Sequence, residues 1–522
     1  MFRVYKNLPY VGLLLMIIMN LALYFTFSIK NYNTLADEFL RSTLFSSDAL
    51  YLPSLYKDIV VQGMTYDNWY LTPAPYFFPD IFIYFLSNFI TQNYFYAIPL
   101  FFTIELLLLF FILYKIFNIF LDKIISSYLT LLILIIIHLS KLEIYLLQYV
   151  SGFHYGEFLM GLYFMYLVLK IISNKELSLV KYLLLFLIGL LTFTSDRLFL
   201  LHFILPISIA LTIMYMLKII CLKKFITLLI TMLFIYIFGK ILYFLLIPHE
   251  IIYPKVLNPP LKLAAIPKNY QILKDILLSY ANIGLSEMVL IGVSIIGSFI
   301  FIIKIFIDKF KNREISNSLY IFLSLIIILQ FLGTLAAILT TTNEVSIRHM
   351  IPTFIIPFII PFIFIFKYFS SRFIINIKYG FPSMLLIMLI ILIVQDIKKV
   401  KNKKFHQRYS DSLVDCLDNF IDKTGNIKYG VSQYWQVKKL YMTSKHNIIM
   451  AQVHGNLKPY LWITTKSWYR DKYDFAIIDH RERYGWYRLD KEKIIKINGE
   501  PDKIATYEDK EILYYNKGLK IE

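Results

Sequence analysis

Residues 95–117 read FYAIPLFFTIELLLLFFILYKIF, residues 118–123 read NIFLDK, and residues 124–140 read IISSYLTLLILIIIHLS. The first run is apolar over a length that carries a helix across a hydrocarbon core of about 30 Å, which takes about 20 residues. A short polar hinge containing Asp122 and Lys123 separates it from a second apolar run. In lipid every backbone polar group must be satisfied within its own segment, so two such runs read as a pair of membrane helices. Glu105 lies near the middle of the first, where an ionisable group is costly.

The pattern recurs from Leu8 to Val394 and stops after Gln395. Spans are expected at 8–28, 95–117, 124–140, 154–172, 182–194, 198–217, 225–247, 287–307, 318–340, 350–367 and 381–395, about eleven in all. The fold class expected is an all-α polytopic membrane bundle over residues 1–395, with a small α/β soluble domain over 396–522. A mean hydropathy of +0.62 and a 58% share of hydrophobic residues agree with a chain whose main solvent is lipid. The N-terminal run resembles a signal peptide but has no small-residue cleavage site after it, so it reads as an uncleaved first helix. Heavy use of Ile, Lys, Asn and Tyr suggests an AT-rich bacterial genome.

The formal net charge of +18 finds its use in topology. Short cytoplasmic loops are enriched in Lys and Arg, and with Arg3 and Lys6 inside, five basic loops fall on that same side. They hold Lys115 and Lys123; Lys170, Lys175 and Lys181; Lys218, Lys223 and Lys224; Lys304, Lys309, Lys311 and Arg313; and Lys367, Arg372 and Lys378. The long loop 29–94 then lies outside, with 141–153, 195–197, 248–286 and 341–349. An odd count also places the tail outside, against the charge of Lys398, Lys399, Lys401, Lys403 and Lys404. Long hydrophilic domains translocate largely regardless of charge. The expected location is the inner (plasma) membrane, with a cytoplasmic N-terminus and an extracytoplasmic tail. No nucleic-acid recognition motif accompanies the basic charge, so nucleic acid is not an expected partner.

Within the first loop, 76–90 is apolar but carries Pro79 and Asp80, and reads as an interfacial or re-entrant helix outside the count. In the tail, strands are expected at 426–432, 447–453, 460–464, 475–479 and 511–515, with a helix at 433–443. There is neither a GxGxxG nor a P-loop. The two cysteines, Cys221 and Cys416, form no metal-ligand spacing, and no metal is expected from the residues alone.

The chemistry concentrates in Ser46–Asp80, SSDALYLPSLYKDIVVQGMTYDNWYLTPAPYFFPD, which sets Asp48, Asp58, Asp67 and Asp80 among Tyr, Trp and Pro residues. Carboxylates accept hydrogen bonds from sugar hydroxyls, and aromatic rings such as Trp69 take the C–H faces. A carboxylate can also serve as a general base, although a single aspartate is as readily a helix cap, the role that fits Asp37 in ADEFLR. Other candidates cluster at helix ends on the same side. His154 and Glu157 share a helical face, Asp196 and Arg197 occupy a tight turn with His202 beyond, and Arg348 and His349 open a helix where a guanidinium can grip phosphate.

The layout resembles the GT-C superfamily of membrane glycosyltransferases: a first helix, a long outer loop with an early acid in SSDALY, the segment PAPYFFPD, many short-looped helices and a terminal soluble domain. The resemblance implies transfer of a sugar from a polyprenyl-phosphate carrier to an extracytoplasmic acceptor. It makes Asp48 the catalytic base of an inverting displacement, with Asp37–Glu38 as the competing match. It further implies Asp58, Trp69, Asp80, His154, Glu157 and Asp196 as acceptor or sugar contacts, and Arg197, Arg348 and His349 as phosphate contacts. Some members use a divalent cation and others do not. The partners implied are the lipid-linked donor and membrane lipids. A transporter or flippase of lipid-linked saccharide is the rival reading, as is a polymerase or an acyltransferase, but no internal repeat of the kind common in transporters is found. The topology has a direct check. Alkaline phosphatase fused after Lys404 is expected to be active and a fusion near Lys309 inactive, and the reverse pattern would overturn the assignment.

Overall fold

A computed structural model describes residues 2–26, 43–140, 143–174, 178–247, 261–311, 318–342, 345–372, 374–409, 412–425, 427–480 and 488–522. Asp37 and Glu38 lie outside the described residues. The chain is mostly helical, and eight helices among the described residues are long and apolar enough to cross a membrane. They contain Asn7–Phe25, Tyr94–Phe117, Tyr155–Ser173, Leu222–Leu246, Leu285–Phe310, Ser318–Thr340, Ile347–Lys367 and Gly380–Val400. Lys123–Leu139, Leu179–Ser195, Leu200–Met216 and Phe77–Thr91 are shorter apolar helices.

In chain order, the bundle helices used below are α1 (Phe2–Phe25), α2 (Tyr51–Tyr56), α3 (Phe82–Thr91), α4 (Tyr94–Phe117), α5 (Lys123–Leu139), α6 (Tyr155–Ser173), α7 (Leu179–Ser195), α8 (Leu205–Met216) and α9 (Leu222–Leu246). They continue with α10 (Ile266–Ile283), α11 (Leu285–Phe310), α12 (Ser318–Thr340), α13 (Ile351–Arg372) and α14 (Ile374–Val400). Local chemistry sets several starts. Asp122 caps α5 by accepting from the amides of Ile124 and Ile125, and Asn93 caps α4 by accepting from Phe95. The segment expected to be re-entrant folds as a hairpin in which α3 turns at Gln92–Asn93 and packs back along α4.

Helix α6 is central, with 78% of its most apolar stretch buried, whereas α11 at 22% lies on the rim. On rim helices the apolar side chains left uncovered, such as Phe234, Phe238 and Leu245 on α9, need hydrocarbon as solvent. Where helices touch closely, small residues permit it. A Cβ on Gly189 of α7 would sit 2.8 Å from the Phe164 ring, and one on Gly239 of α9 would strike Phe193.

The tail is an α/β module in which β2 (Tyr429–Ser432), β3 (Ile449–Gln452), β5 (Tyr473–Asp479), β6 (Lys503–Tyr507) and β7 (Lys510–Leu519) form one sheet in the order β3-β2-β5-β7-β6. β2 runs parallel to β3 and β5, and β7 lies antiparallel between β5 and β6. Helices α15 (Ser412–Thr424), α16 (Tyr434–Thr443) and α17 (Lys491–Asn498) accompany it. The strand expected at 460–464 is absent from the sheet. Only Thr464–Thr465 is extended, as β4, and it pairs antiparallel with Trp69–Tyr70, β1, of the first loop. α15, α17 and β6 were not foreseen: β6 is largely exposed and α17 buries Ile494, whereas α15 has a regular buried face of Leu413, Val414, Leu417 and Ile421.

First loop and tail share one apolar core. Leu52, Leu55 and Trp69 of the loop and Leu23 and Tyr24 of α1 pack with Val437, Leu440, Tyr441, Met450, Trp468 and Phe475 of the tail. Trp69 and Trp468 meet edge to face at 5.6 Å, and Phe45 stacks on Tyr409 at 4.0 Å. The His406 amide donates to the Phe25 carbonyl at 2.8 Å, so the chain leaving α14 runs beside the end of α1. At the same end His138 lies 2.9 Å from Asp396, which also takes the Lys399 ammonium at 2.9 Å, so one member of the basic cluster that begins in the last turn of α14 is matched by an acid.

Within this shared core Asp58, fully buried, accepts from the Tyr441 hydroxyl. Lys57 donates to the Tyr441 carbonyl at 2.8 Å and sits 3.9 Å from the centre of its ring. Burial pushes the Asp58 carboxyl up to about 7, against the opposing pull of the Tyr441 hydroxyl and the Lys57 charge. Burial pushes Lys57 down to about 8. A carboxyl raised in the folded state holds a proton that the unfolded chain has lost above about pH 4. Its contribution is therefore full in acid and declines as pH rises from about 4 to about 7. The melting temperature of the wild type is expected to fall across that window more steeply than that of Asp58→Asn. Parallel curves would show that Asp58 does not couple docking to pH.

Candidate functional site

Five stretches of chain converge at the end of the bundle that faces the tail: the start of the first loop, the PAPYFFPD segment, the start of α6, the turn after α7, and a 3-10 turn, Ile347–Met350, leading into α13. They bring Asp48, Asp80, His154, Glu157, Asp196, Arg348 and His349 into one polar cluster.

Tyr76 is its hub. The phenol lies 3.4 Å from His154 Nε2, and the charges of Arg348, Asp196, Asp80 and Asp48 all reach it. His154 Nδ1 faces Asp196 in a short hydrogen bond, and Asp196 also accepts from the Leu198 amide at 3.0 Å. With Nδ1–H donated to the carboxylate, Nε2 is left to accept from the Tyr76 hydroxyl. Tyr76 and His154 both hold left-handed backbone, at φ of 60° and 66°. Side chains rarely adopt that conformation, and strain of this kind collects at functional sites.

A second histidine–carboxylate pair lies beside the first. His202 Nδ1 is 3.2 Å from Glu157 Oε2, its Nε2 is 3.1 Å from the His349 carbonyl, and its own carbonyl accepts from Gln330 at 2.6 Å. A carbonyl can only accept, so Nε2 carries a hydrogen, and the remaining proton is shared between Nδ1 and Glu157. Either placement leaves the pair neutral overall, which suits its full burial. The His154 and His349 rings are 5.3 Å apart, which ties the two pairs together.

Above this buried layer the cluster opens. Arg348 lies 3.6 Å from Asp48, and these side chains are 32% and 21% exposed, whereas Asp80, His154, Glu157 and Asp196 are buried. A soluble ligand can therefore reach Asp48 and Arg348 directly. The hydroxyl of Tyr434, from the tail, donates to the other oxygen of Asp48.

Three of the residues singled out from sequence sit elsewhere. Asp58 and Trp69 belong to the loop–tail core described above, and Asp67 is exposed on the turn Tyr66–Asn68. Arg197 stacks on the Tyr243 ring at 4.6 Å, a ring that the Asp196 charge also reaches. Glu105 is buried beside Asp80 and Tyr155, and neither of its oxygens has a hydrogen-bond partner among the described residues. Tyr76, Tyr434 and Lys438 were not foreseen. Tyr76 stood in the quoted PAPYFFPD, but nothing local marked it apart from its neighbouring rings. Among the described residues no group of three or more His, Cys, Asp or Glu side chains is arranged to hold a metal ion.

No family model matches the chain, and no curated protein matches it at a significant level.

The packing around Asp80 is tight enough to test. Its carboxyl accepts from the Gly152 amide at 3.3 Å, and a Cβ on Gly156 would lie 2.8 Å from Asp80 Cγ. Gly156→Ala is expected to destabilise by about 1–3 kcal/mol through overpacking. The cost should shrink in an Asp80→Ala background, since neighbouring changes are non-additive. Equal melting shifts in the two backgrounds would separate Gly156 from Asp80.

Proposed function

We propose that the protein is a membrane glycosyltransferase of the GT-C type, taking a sugar from a polyprenyl-phosphate carrier and passing it to an acceptor outside the cytoplasm, a lipopolysaccharide, cell-wall polymer or protein. The observation that carries this reading is the half-open Asp48–Arg348 pair at 3.6 Å, set over a buried layer of two histidine–carboxylate pairs. One acid and one guanidinium that solutes can reach supply the two groups such a transfer needs.

In this reading the acceptor hydroxyl gives its proton to Asp48 while its oxygen forms a bond to C1 of the sugar. The bond from C1 to the carrier phosphate breaks, and its electron pair leaves with the polyprenyl phosphate. Attack from the face opposite the leaving group inverts the configuration at C1. Arg348 pairs with the phosphate as charge develops there, with His349 beside it. Tyr76, His154 and Asp196 hold the floor of the site and offer hydrogen bonds to sugar hydroxyls, and Asp80 and Glu157 lie next to them. In a bacterial cell the protein would sit in the inner membrane.

The span count belongs to the same reading. α1 and α14 run parallel, since Gly12 lies against Leu389 and Phe25 against His406. That direction supports an odd number of crossings from α1 through α14. Eight is even, and the three short helices Lys123–Leu139, Leu179–Ser195 and Leu200–Met216 bring the count to eleven. The pairing of β1 with β4 supports placing the first loop and the tail on one side, outside the cytoplasm.

The test uses the full chain in nanodiscs with a labelled polyprenyl-phosphate sugar. Asp48→Asn keeps the hydrogen bond from Tyr434 available but removes the base, and turnover of the folded variant is expected to fall by about 10²- to 10⁴-fold. Arg348→Ala is expected to raise KM for the donor as well as lower kcat. Near-normal turnover in both variants would remove the pair from the reaction.

A further inference from the structure

We propose that the α/β tail forms part of the reacting centre, with Tyr434 and Lys438 of α16 acting as positioning residues that hold and charge-balance the Asp48 carboxylate. This rests on the reading of Asp48 as the proton acceptor.

The placement begins in the sheet. β2 lies between two parallel neighbours, and residues just past the carboxyl ends of such strands are where open α/β sheets present ligand-binding groups. Gln433 makes the turn out of β2, and its side chain is locked by two bonds to the backbone of Asp479. The amide donates to the carbonyl at 2.9 Å, and the Asp479 N–H donates back at 3.1 Å. Tyr434 follows directly, buried, as the first residue of α16. It grips two consecutive loop residues, because its carbonyl accepts from the Ser47 hydroxyl and its phenol donates to Asp48.

Lys438 lies one helical turn further on, so it stands over Tyr434 on the same face. It is fully buried, with its ammonium 4.6 Å from the centre of the Tyr434 ring and 3.4 Å from Gln452 Oε1. Gln452 is fixed in that orientation because its amide donates to the Tyr460 carbonyl at 2.6 Å. A buried ammonium facing one amide oxygen and one ring is poorly solvated, and the carboxylate whose charge reaches it is Asp48. Burial pushes Lys438 down to about 7, against that pull.

Asp48 is thus held from two sides, by Tyr434 of the tail and by Arg348 of the bundle, with the Lys438 charge and the Tyr76 phenol in electrostatic reach. A phosphate that draws Arg348 away frees one carboxylate oxygen. The Tyr434 bond keeps the other in place, so the freed oxygen still points at the acceptor. A fold that merely parked the tail on the loop would not need a buried lysine at this spot.

The experiment uses full-length protein in nanodiscs, with Tyr434→Phe and Lys438→Met as separate variants and Asp48→Asn as the blank. The first readout is independent of any reaction: the rate of carbodiimide labelling at Asp48 at one fixed pH, followed by peptide mass spectrometry. Both variants are expected to raise that rate several-fold, because each removes a group that shields the carboxylate. The second readout is turnover, in which kcat should fall by about tenfold while KM for the lipid-linked sugar stays within about twofold. Lys438→Met should fold even if Tyr434→Phe does not, because an apolar side chain suits a fully buried site. Unchanged labelling rates in the folded variants would overturn the proposal. A labelling rate that rises while the wild type turns over no polyprenyl-phosphate sugar would leave the positioning role standing and remove the glycosyltransferase reading instead.

Discussion

The arrangement depends on one shared apolar core. Trp69 of the first loop and Trp468 and Tyr441 of the tail close over Asp58, and the two short strands β1 and β4 satisfy each other's backbone beside them. A loop crowded with aromatic rings has no packed core of its own, and the tail would otherwise expose Val437 and Leu440 of α16 and Phe475 of β5. Each covers the other, so removing either leaves a large apolar surface in water. Because this core fixes the loop, it also fixes Asp48, which lies only a few residues before α2.

A second constraint acts beneath. The polar groups at the mouth of the bundle stand close to hydrocarbon, where an unpaired charge is costly. Three histidines accordingly stand in matched sets: His154 with Asp196, His202 with Glu157, and His138 with Asp396 and Lys399. Asp48 and Arg348 are matched as well, but they alone of the central cluster's opposite charges stay half-exposed. The distinction between buried pairs that shape a floor and an accessible pair that can exchange partners with a ligand gives the site its direction. It runs from the buried layer of the bundle towards the junction with the tail.

Much of this was legible from residue order, for a physical reason in each case. The apolar runs could be read because bilayer thickness sets helix length, and the short helices α5 and α7 were found although they fall below the usual span. Glu157 could be placed with His154 because a helix returns to the same face after three or four residues. Asp196 and Arg197 could both be expected to be buried because a turn of so few residues leaves little route to water; Asp196 is buried, whereas Arg197 is only partly so. Asp58 and Trp69 were drawn into the wrong neighbourhood because composition reports what a loop is made of and not which surface it meets. The extended residues near 460–464 were assigned to the tail's own sheet for the same reason, since a strand's partner is not written in its alternation.

By itself, then, the sequence determined that the chain is a membrane bundle with a folded tail, which connections between the helices are basic, and which acids and histidines stand near helix ends. These follow from interactions that are local along the chain or averaged over a whole segment, such as transfer to hydrocarbon and helical periodicity. Only the tertiary structure decided that Asp48 meets Tyr434 across 386 residues of chain, that Tyr76 joins His154 and His154 joins Asp196, and that Lys438 is buried against the Tyr434 ring. In sequence Tyr434 and Lys438 are an ordinary aromatic and an ordinary lysine on a short helix. Their significance comes from the loop that packs on them, and contacts between segments so far apart are set by the burial of complementary surfaces, which no local pattern encodes.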